Sequence, residues 1–139
     1  MMNPKIELNR SHLFVEFFRN SAPYIKSHQG KTFVMYVGGA TVESPRFAEL
    51  LHDVAVMHSL GVRVVLVHGA RPQIDERITR LGGVPSFRDG HRVTDELAME
   101  CVKDAVGAVR VEIEALLSMG VANSQMEGAR IRVASGNFV

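Results

Sequence analysis

The sequence predicts an α/β fold with a mainly parallel sheet. Residues 31–37 and 62–67 are short apolar runs, and an amphipathic helical stretch separates them. Each run ends in a turn of small residues, at Gly38-Gly39 and within residues 68–72. Two apolar strands joined by one helix form a right-handed parallel unit. Both turns are therefore expected outside the carboxyl ends of the strands, where open α/β sheets bind ligands.

Composition narrows the class of protein. The chain has 139 residues and a net charge of +1, which gives no reason to expect nucleic acid or an anionic membrane surface as a partner. No apolar run reaches the roughly 20 residues that span a bilayer, and the start of the chain has no signal-peptide pattern. The single cysteine, Cys101, fits a reducing compartment and an apolar helix face. We therefore expect a cytoplasmic protein.

The first 25 residues are expected to form a tail and a helix, distinct from the body at residues 26–139. The helical pattern begins at Ser11, after a loose terminus, and should end or kink near Pro23. Four large apolar residues fall on one side of this helix: Leu13, Phe14, Phe17 and Phe18. Such a face needs a partner surface, either on the chain's own domain or on another subunit. The second possibility makes the helix an oligomerisation arm.

The first strand and the helix after it have clear sequence signals. Residues 31–37 place apolar side chains on both faces of the expected strand, which predicts a central strand covered on both faces. Ser44 can cap the next helix, with Pro45 at its first position. Gly61 suits the left-handed residue that follows a helix.

The second half of the chain continues the alternation. Pro72 starts another helix, and Asp89-Gly90 is a strong hairpin signal. Thr94 can cap the long helix that follows. Residues 129–134 alternate apolar and basic side chains, which predicts a further strand. Since the chain stops soon after that strand, we expect the N-terminal half of a larger domain.

The candidate binding residues gather at the two turns and just after the hairpin. Glycines after a strand let the backbone approach a ligand, and their N–H groups can hold an anion. An arginine can clamp a carboxylate in the same region. The alternatives are a tight turn without ligand, and arginines held by ion pairs, such as Arg71 with Asp75. The candidates are Gly38, Gly39, Gly69, Ala70, Arg71 and Arg92.

The sequence has no motif for nucleotide binding, metal binding or nucleophilic catalysis. There is neither a dinucleotide nor a P-loop fingerprint. The six histidines include no pair with i, i+4 spacing, and no serine or cysteine stands in a nucleophile motif. We therefore assign no catalytic residue and no metal site.

Four segments resemble the amino acid kinase family when taken in order. They are VMYVGGA (34–40), VVLVHGARPQID (64–75), HRVTDE (91–96) and VASGNF (133–138). Within that family the chain is most similar to the kinase-like domain of bacterial N-acetylglutamate synthases, over about residues 15 to 139. The resemblance implies a three-layer α/β/α sandwich, of which this chain holds the N-terminal half.

The resemblance also implies a loss of kinase chemistry. The related kinases carry a lysine where this chain has Tyr36, and three glycines after the histidine of the second turn. Here that turn continues with Ala70 and Arg71 after its first glycine. A tyrosine supplies no fixed cation to a transferring phosphoryl group. Arg92 matches the arginine that holds the amino-acid derivative in those kinases, so an anion site is expected to survive.

The function implied by the resemblance is regulation and assembly of a synthase. That enzyme makes N-acetylglutamate from acetyl-CoA and L-glutamate, the first step of arginine biosynthesis, with acetyl transfer in a separate C-terminal domain. The kinase-like domain would need no cofactor. It would join a homo-oligomer, which is a hexamer in the family, and L-arginine would be an effector of the whole enzyme. Two alternatives stay open: a phosphotransferase like acetylglutamate kinase, and an oligomerisation module without a ligand.

Overall fold

The computed structural model describes residues 4–119 and 131–136. Five helices and four strands follow one another in this part of the chain. Their order is α1 (Pro4–His28), β1 (Thr32–Val37), α2 (Gly39–Val42), α3 (Phe47–Ser59), β2 (Arg63–His68), α4 (Arg71–Arg80), β3 (Phe87–Arg88), β4 (His91–Arg92) and α5 (Glu96–Ser118). None of these helices is both long and apolar enough to cross a membrane.

The predicted parallel unit is confirmed. β1 pairs with β2 in parallel, with Val34 opposite Val65 and Tyr36 opposite Val67. The amide of Gly69 donates to the carbonyl of Val37 at 2.8 Å, so the pairing continues into the second turn. The two turns therefore lie side by side at the carboxyl edge of the sheet.

Only one face of this sheet is covered in the described part of the chain. Met35 and Leu66 pack against the core on one face. On the other face Val34 is 70% exposed and Tyr36 74% exposed. The prediction that residues 31–37 are covered on both faces is therefore wrong for the described residues. Apolar residues on both faces of a strand indicate two faces suited to burial, but they do not say what covers each face.

The core lies between the covered face and helices α3, α4 and α5. Leu51 on α3 and Ala105 on α5 are fully buried. Cys101 is 1% exposed, which confirms that its thiol is packed as a small apolar group. Ile74 and Ile78 bring α4 into the same cluster. This packing fixes α4, whose first turn carries much of the candidate site.

Two helix boundaries differ from the prediction. The first helix was expected to begin at Ser11 and to end or kink near Pro23, but α1 begins at Pro4 and continues through Pro23 to His28. Proline is favoured in the first turn of a helix, and on an exposed helix water can satisfy the carbonyl that Pro23 leaves free. α3 begins at Phe47, because Ser44 turns the chain first and its hydroxyl accepts from Arg46 N at 3.3 Å. The short helix α2 was not predicted.

The hairpin is confirmed, but the cap after it is not. Asp89 and Gly90 have φ values of 51° and 79°, which suit the tight turn between β3 and β4. Asp95 rather than Thr94 caps α5, and its carboxylate accepts from Ala98 N at 2.8 Å. Both residue types can cap a helix, so the sequence alone did not decide between neighbours.

The last predicted strand is not formed in the described residues. Residues 131–136 do not form a strand, while positions 129 and 130 lie outside the described part. Val133 nevertheless packs against the core. The alternation of side chains therefore correctly marked a half-buried segment but not its backbone pairing.

We expect Asp95→Ala to lower the free energy of unfolding by about 1 kcal/mol, because the first turn of α5 loses its side-chain acceptor. Thr94→Ala is the matched control, since the Thr94 hydroxyl lies 3.5 Å from the Arg92 carbonyl and caps nothing. Urea unfolding followed by circular dichroism measures both variants. Equal losses would show that the capping assignment is wrong.

Candidate functional site

The candidate site lies where β1 and β2 end and α4 begins. Its two turns are in direct contact. A Cβ atom placed on Gly69 would lie 3.2 Å from the amide nitrogen of Gly39 and 3.7 Å from the Cα atom of Gly38. The absence of a side chain at Gly69 therefore allows the two turns to touch.

The first turn is filled by the beginning of α4. A Cβ atom on Gly39 would lie 2.7 Å from both Gln73 Oε1 and Pro72 Cδ, and 3.0 Å from the amide nitrogen of Arg71. The Gln73 side-chain amide donates to the Gly39 carbonyl at 2.8 Å, and Gln73 is only 9% exposed. Gly39 is thus required for packing against α4, whereas the space around Gly38 is open.

Tyr36 overhangs the second turn. Its hydroxyl oxygen lies 3.0 Å from the position of a Cβ on Gly69, at the end of the exposed sheet face. The phenol therefore stands over the place where the two turns meet. It brings a hydrogen-bonding hydroxyl to this place and no fixed positive charge.

Ala70 forms the boundary between the second turn and α4. It is 6% exposed, and its carbonyl accepts the first helical hydrogen bond, from Ile74 N at 2.9 Å. An alanine side chain cannot accept a bond from the first turn, and α4 accordingly has no side-chain cap. Its buried methyl group is part of the hydrophobic core.

The two candidate arginines share one aromatic ring. The Cζ atom of Arg71 lies 4.4 Å from the ring centroid of Phe87, and that of Arg92 lies 4.9 Å from it. These distances are within the range of cation–π attraction. Phe87 thus holds two guanidinium groups near the start of α4, and the hairpin brings Arg92 to the same end of the sheet as the glycine turns.

Arg92 is paired with a carboxylate of the same chain. Its Nη2 atom lies 2.5 Å from Asp75 Oδ1, and the side chains of Arg92 and Asp75 are 11% and 34% exposed. The contact lacks hydrogen-bond alignment, and both Nη atoms are buried without a hydrogen-bond partner. Asp75 therefore pairs with Arg92, and the alternative of an ion pair between Arg71 and Asp75 is not realised. Arg71 instead lies over Phe87.

Sequence reasoning missed Gln73 and Phe87. Gln73 lies on α4 just after the second turn, but its partner Gly39 is 34 residues earlier. Phe87 was predicted only to be part of a hairpin, although it lies directly opposite Arg92 in the strand pair. That pairing is a usable signal, because opposite residues of a two-residue hairpin are close in space.

The apolar side of α1 is open to solvent. The exposed fractions are 57% for Leu13, 67% for Phe14, 69% for Phe17 and 59% for Phe18. This face therefore does not pack on the described part of its own chain.

In the described part of the chain, no group of three histidine, cysteine or acidic residues is placed to hold a metal ion.

Comparison with known proteins gives a consistent set of relatives. The sequence profile of the amino acid kinase family matches residues 31–138. Curated amino-acid acetyltransferases from Pseudomonas fluorescens (strain SBW25) and Pseudomonas putida (strain GB-1) are each 51% identical over 126 residues, which is 91% of this chain and 29% of each relative. The chain therefore spans less than a third of the length of these relatives.

Two solved structures of N-acetylglutamate synthase from Neisseria gonorrhoeae are also similar. The complex with coenzyme A and L-arginine has a TM-score of 0.75 and 34% identity, covering 90% of this chain and 29% of that chain. The complex with coenzyme A and N-acetyl-glutamate has a TM-score of 0.68 and 36% identity, covering 78% of this chain and 26% of that chain.

We expect Gly39→Ala to destabilise the protein by about 1–3 kcal/mol, because the new methyl group overlaps Gln73 and Pro72. Gly38→Ala is the matched control. Gly38 has an extended backbone, with φ −67° and ψ 153°, and nothing lies within 4 Å of its Cβ position. The free energy of unfolding of Gly38→Ala should stay within about 1 kcal/mol of the wild type. Thermal unfolding that ranks Gly38→Ala as the more damaging change would contradict this account.

Proposed function

The chain belongs to the amino acid kinase family, and we propose that it is the N-terminal part of the kinase-like domain of an N-acetylglutamate synthase. In this role it regulates and assembles the enzyme and transfers no phosphate. The similarity to amino-acid acetyltransferases and to the Neisseria synthase supports the choice of parent enzyme. The whole parent would make N-acetyl-L-glutamate from acetyl-CoA and L-glutamate, in arginine biosynthesis.

The filled cleft is the observation that carries this proposal. Phosphoryl transfer depends on preorganised positive charge around the transferred group. At this cleft Tyr36 overhangs the second turn with a neutral hydroxyl, and Gln73 and Pro72 fill the first turn. Arg92, whose side chain is only 11% exposed, is already paired with Asp75. The family fold is retained, while the space beside Gly39 and the charge of Arg92 are used by the chain itself.

Acetyl transfer is assigned to the part of the relatives that this chain does not match. The Neisseria synthase binds coenzyme A, which fits acetyl-CoA as a substrate of the parent enzyme. The same structure contains L-arginine, and we propose L-arginine as an effector of the parent. On this view the described region needs no cofactor of its own. A role in amino-acid biosynthesis goes with a cytoplasmic location, which is part of the proposal.

Assembly is the second half of the proposed role. The exposed face of α1 combines Leu13, Phe14, Phe17 and Phe18 on one side of a helix. Burying such a face is favourable by roughly 25 cal/mol per Å² of apolar area, so it is a suitable contact for another subunit. We propose a homo-oligomer, with the hexamer of related enzymes as the expected form.

An oligomerisation module without any ligand is the second candidate. The same filled cleft favours it, because a domain that only assembles needs no open site. Titration of the full-length protein with L-arginine separates the two candidates. A saturable heat in calorimetry supports regulation, and its absence supports assembly alone.

We expect no kinase activity from this chain or from the full-length protein. ADP release is measured with MgATP and N-acetyl-L-glutamate, with an authentic acetylglutamate kinase as the positive control. Tyr36→Lys should also stay inactive, because Gln73 still fills the first turn. N-acetylglutamate-dependent turnover at about 1–100 per second would overturn the proposal.

We expect Phe17→Asp to reduce the oligomer size, since it places a charge in the apolar face of α1. His12→Asp is the matched control, because position 12 lies on the opposite side of the same helix. Light scattering coupled to size exclusion gives the mass of each variant, and deletion of residues 1–22 should reproduce the effect of Phe17→Asp. An unchanged mass after the deletion would show that α1 makes no subunit contact.

A further inference from the structure

We propose that Asp75 acts as an internal anion that occupies Arg92 and keeps the cleft closed to carboxylates from solution. This deepens the proposed function, on which it rests for the view that the cleft performs no catalysis. The proposal assigns a specific role to Asp75: it neutralises a nearly buried guanidinium that would otherwise hold an anion.

The burial of Arg92 explains why a charge partner is needed. Its side chain is 11% exposed, and a guanidinium does not lose its proton to escape burial. A buried charge requires an opposite charge close by. The ring of Phe87 lies 4.9 Å from the Cζ atom of Arg92 and supplies only a partial negative face. Asp75 supplies the full negative charge.

The choice of carboxylate is visible on α4. The neighbouring Glu76 is 62% exposed and bonds Arg80 at 2.7 Å on the outer side of the helix. Asp75 is directed to the hairpin side instead and reaches Arg92 Nη2 at 2.5 Å. Two adjacent acidic residues therefore serve different purposes. Glu76 provides a matched control for any change at Asp75.

The guanidinium keeps unused hydrogen-bonding capacity. Neither Nη atom of Arg92 has a hydrogen-bond partner, although both are buried. A free carboxylate accepts two parallel N–H bonds from an arginine fork, which is stronger than a contact without alignment. Removal of the Asp75 side chain would both free the charge and uncover these donors. Arg92 would then bind an external carboxylate in its place.

Acetate is the probe, and thermal unfolding of the full-length protein is the measurement. Chloride is replaced by acetate at constant ionic strength. Asp75→Ala should unfold at a lower temperature than the wild type in chloride, because Arg92 loses its partner. Acetate should raise the Tm of Asp75→Ala more than that of the wild type. The apparent dissociation constant for acetate should fall at least about tenfold relative to the wild type.

The controls decide where acetate binds. Glu76→Ala removes the same charge from the same helix and should follow the wild type. The additional rise in Tm with acetate should disappear in the double variant Asp75→Ala with Arg92→Leu. If it persists there, acetate binds elsewhere and the proposal is wrong. Equal acetate dependence of Asp75→Ala and the wild type would also overturn it.

A second variant covers the case in which Asp75→Ala does not fold at any acetate concentration. Asp75→Asn removes the charge but keeps the size of the side chain, and it should show the same direction of change. If its acetate dependence equals that of the wild type, Asp75 is not a blocking anion. None of these outcomes bears on ADP release, so failure here is distinguishable from failure of the proposed function.

Discussion

The contact between Gln73 and Gly39 is the interaction on which the arrangement of the cleft depends. The side-chain amide of Gln73 reaches the Gly39 carbonyl at 2.8 Å only because Gly39 has no Cβ atom. This contact draws the first turn of α4 into the turn after β1. Arg71 and Asp75 lie on the same helix, which Ile74 and Ile78 also hold against the core. The space that Gly39 leaves free is taken by side chains of α4.

The same packing gives Arg92 a partner of opposite charge within the chain. Once α4 is fixed, Asp75 faces Arg92, and Arg71 and Arg92 share the ring of Phe87. The hairpin between β3 and β4 is thereby tied to α4 by an ion pair and by cation–π attraction. On the proposed function, the family fold persists without phosphoryl transfer, because the contacts that fill the site also stabilise the domain.

Local signals in the sequence predicted the local structure well. The parallel unit, the turn at Asp89 and Gly90 and the buried state of Cys101 follow from residue types over a few positions. Two features could not be predicted from local residue types: the position of the α5 cap at Asp95 and the exposure of one sheet face. Both depend on how the elements pack together. The candidate residues do gather at one sheet edge, but the pairing of Arg92 with Asp75 joins two separate elements, a hairpin strand and a helix, and no local pattern reveals it.

Backbone amide spectra of the chain titrated with MgATP test the central claim most directly, because Gly39 and Gly69 report on the cleft itself. If the cleft is filled from within, the amide resonances of both glycines will stay unchanged as MgATP is added. Saturable shifts at both positions would mean that a nucleotide enters between the turns, and the account of a self-filled cleft would be wrong.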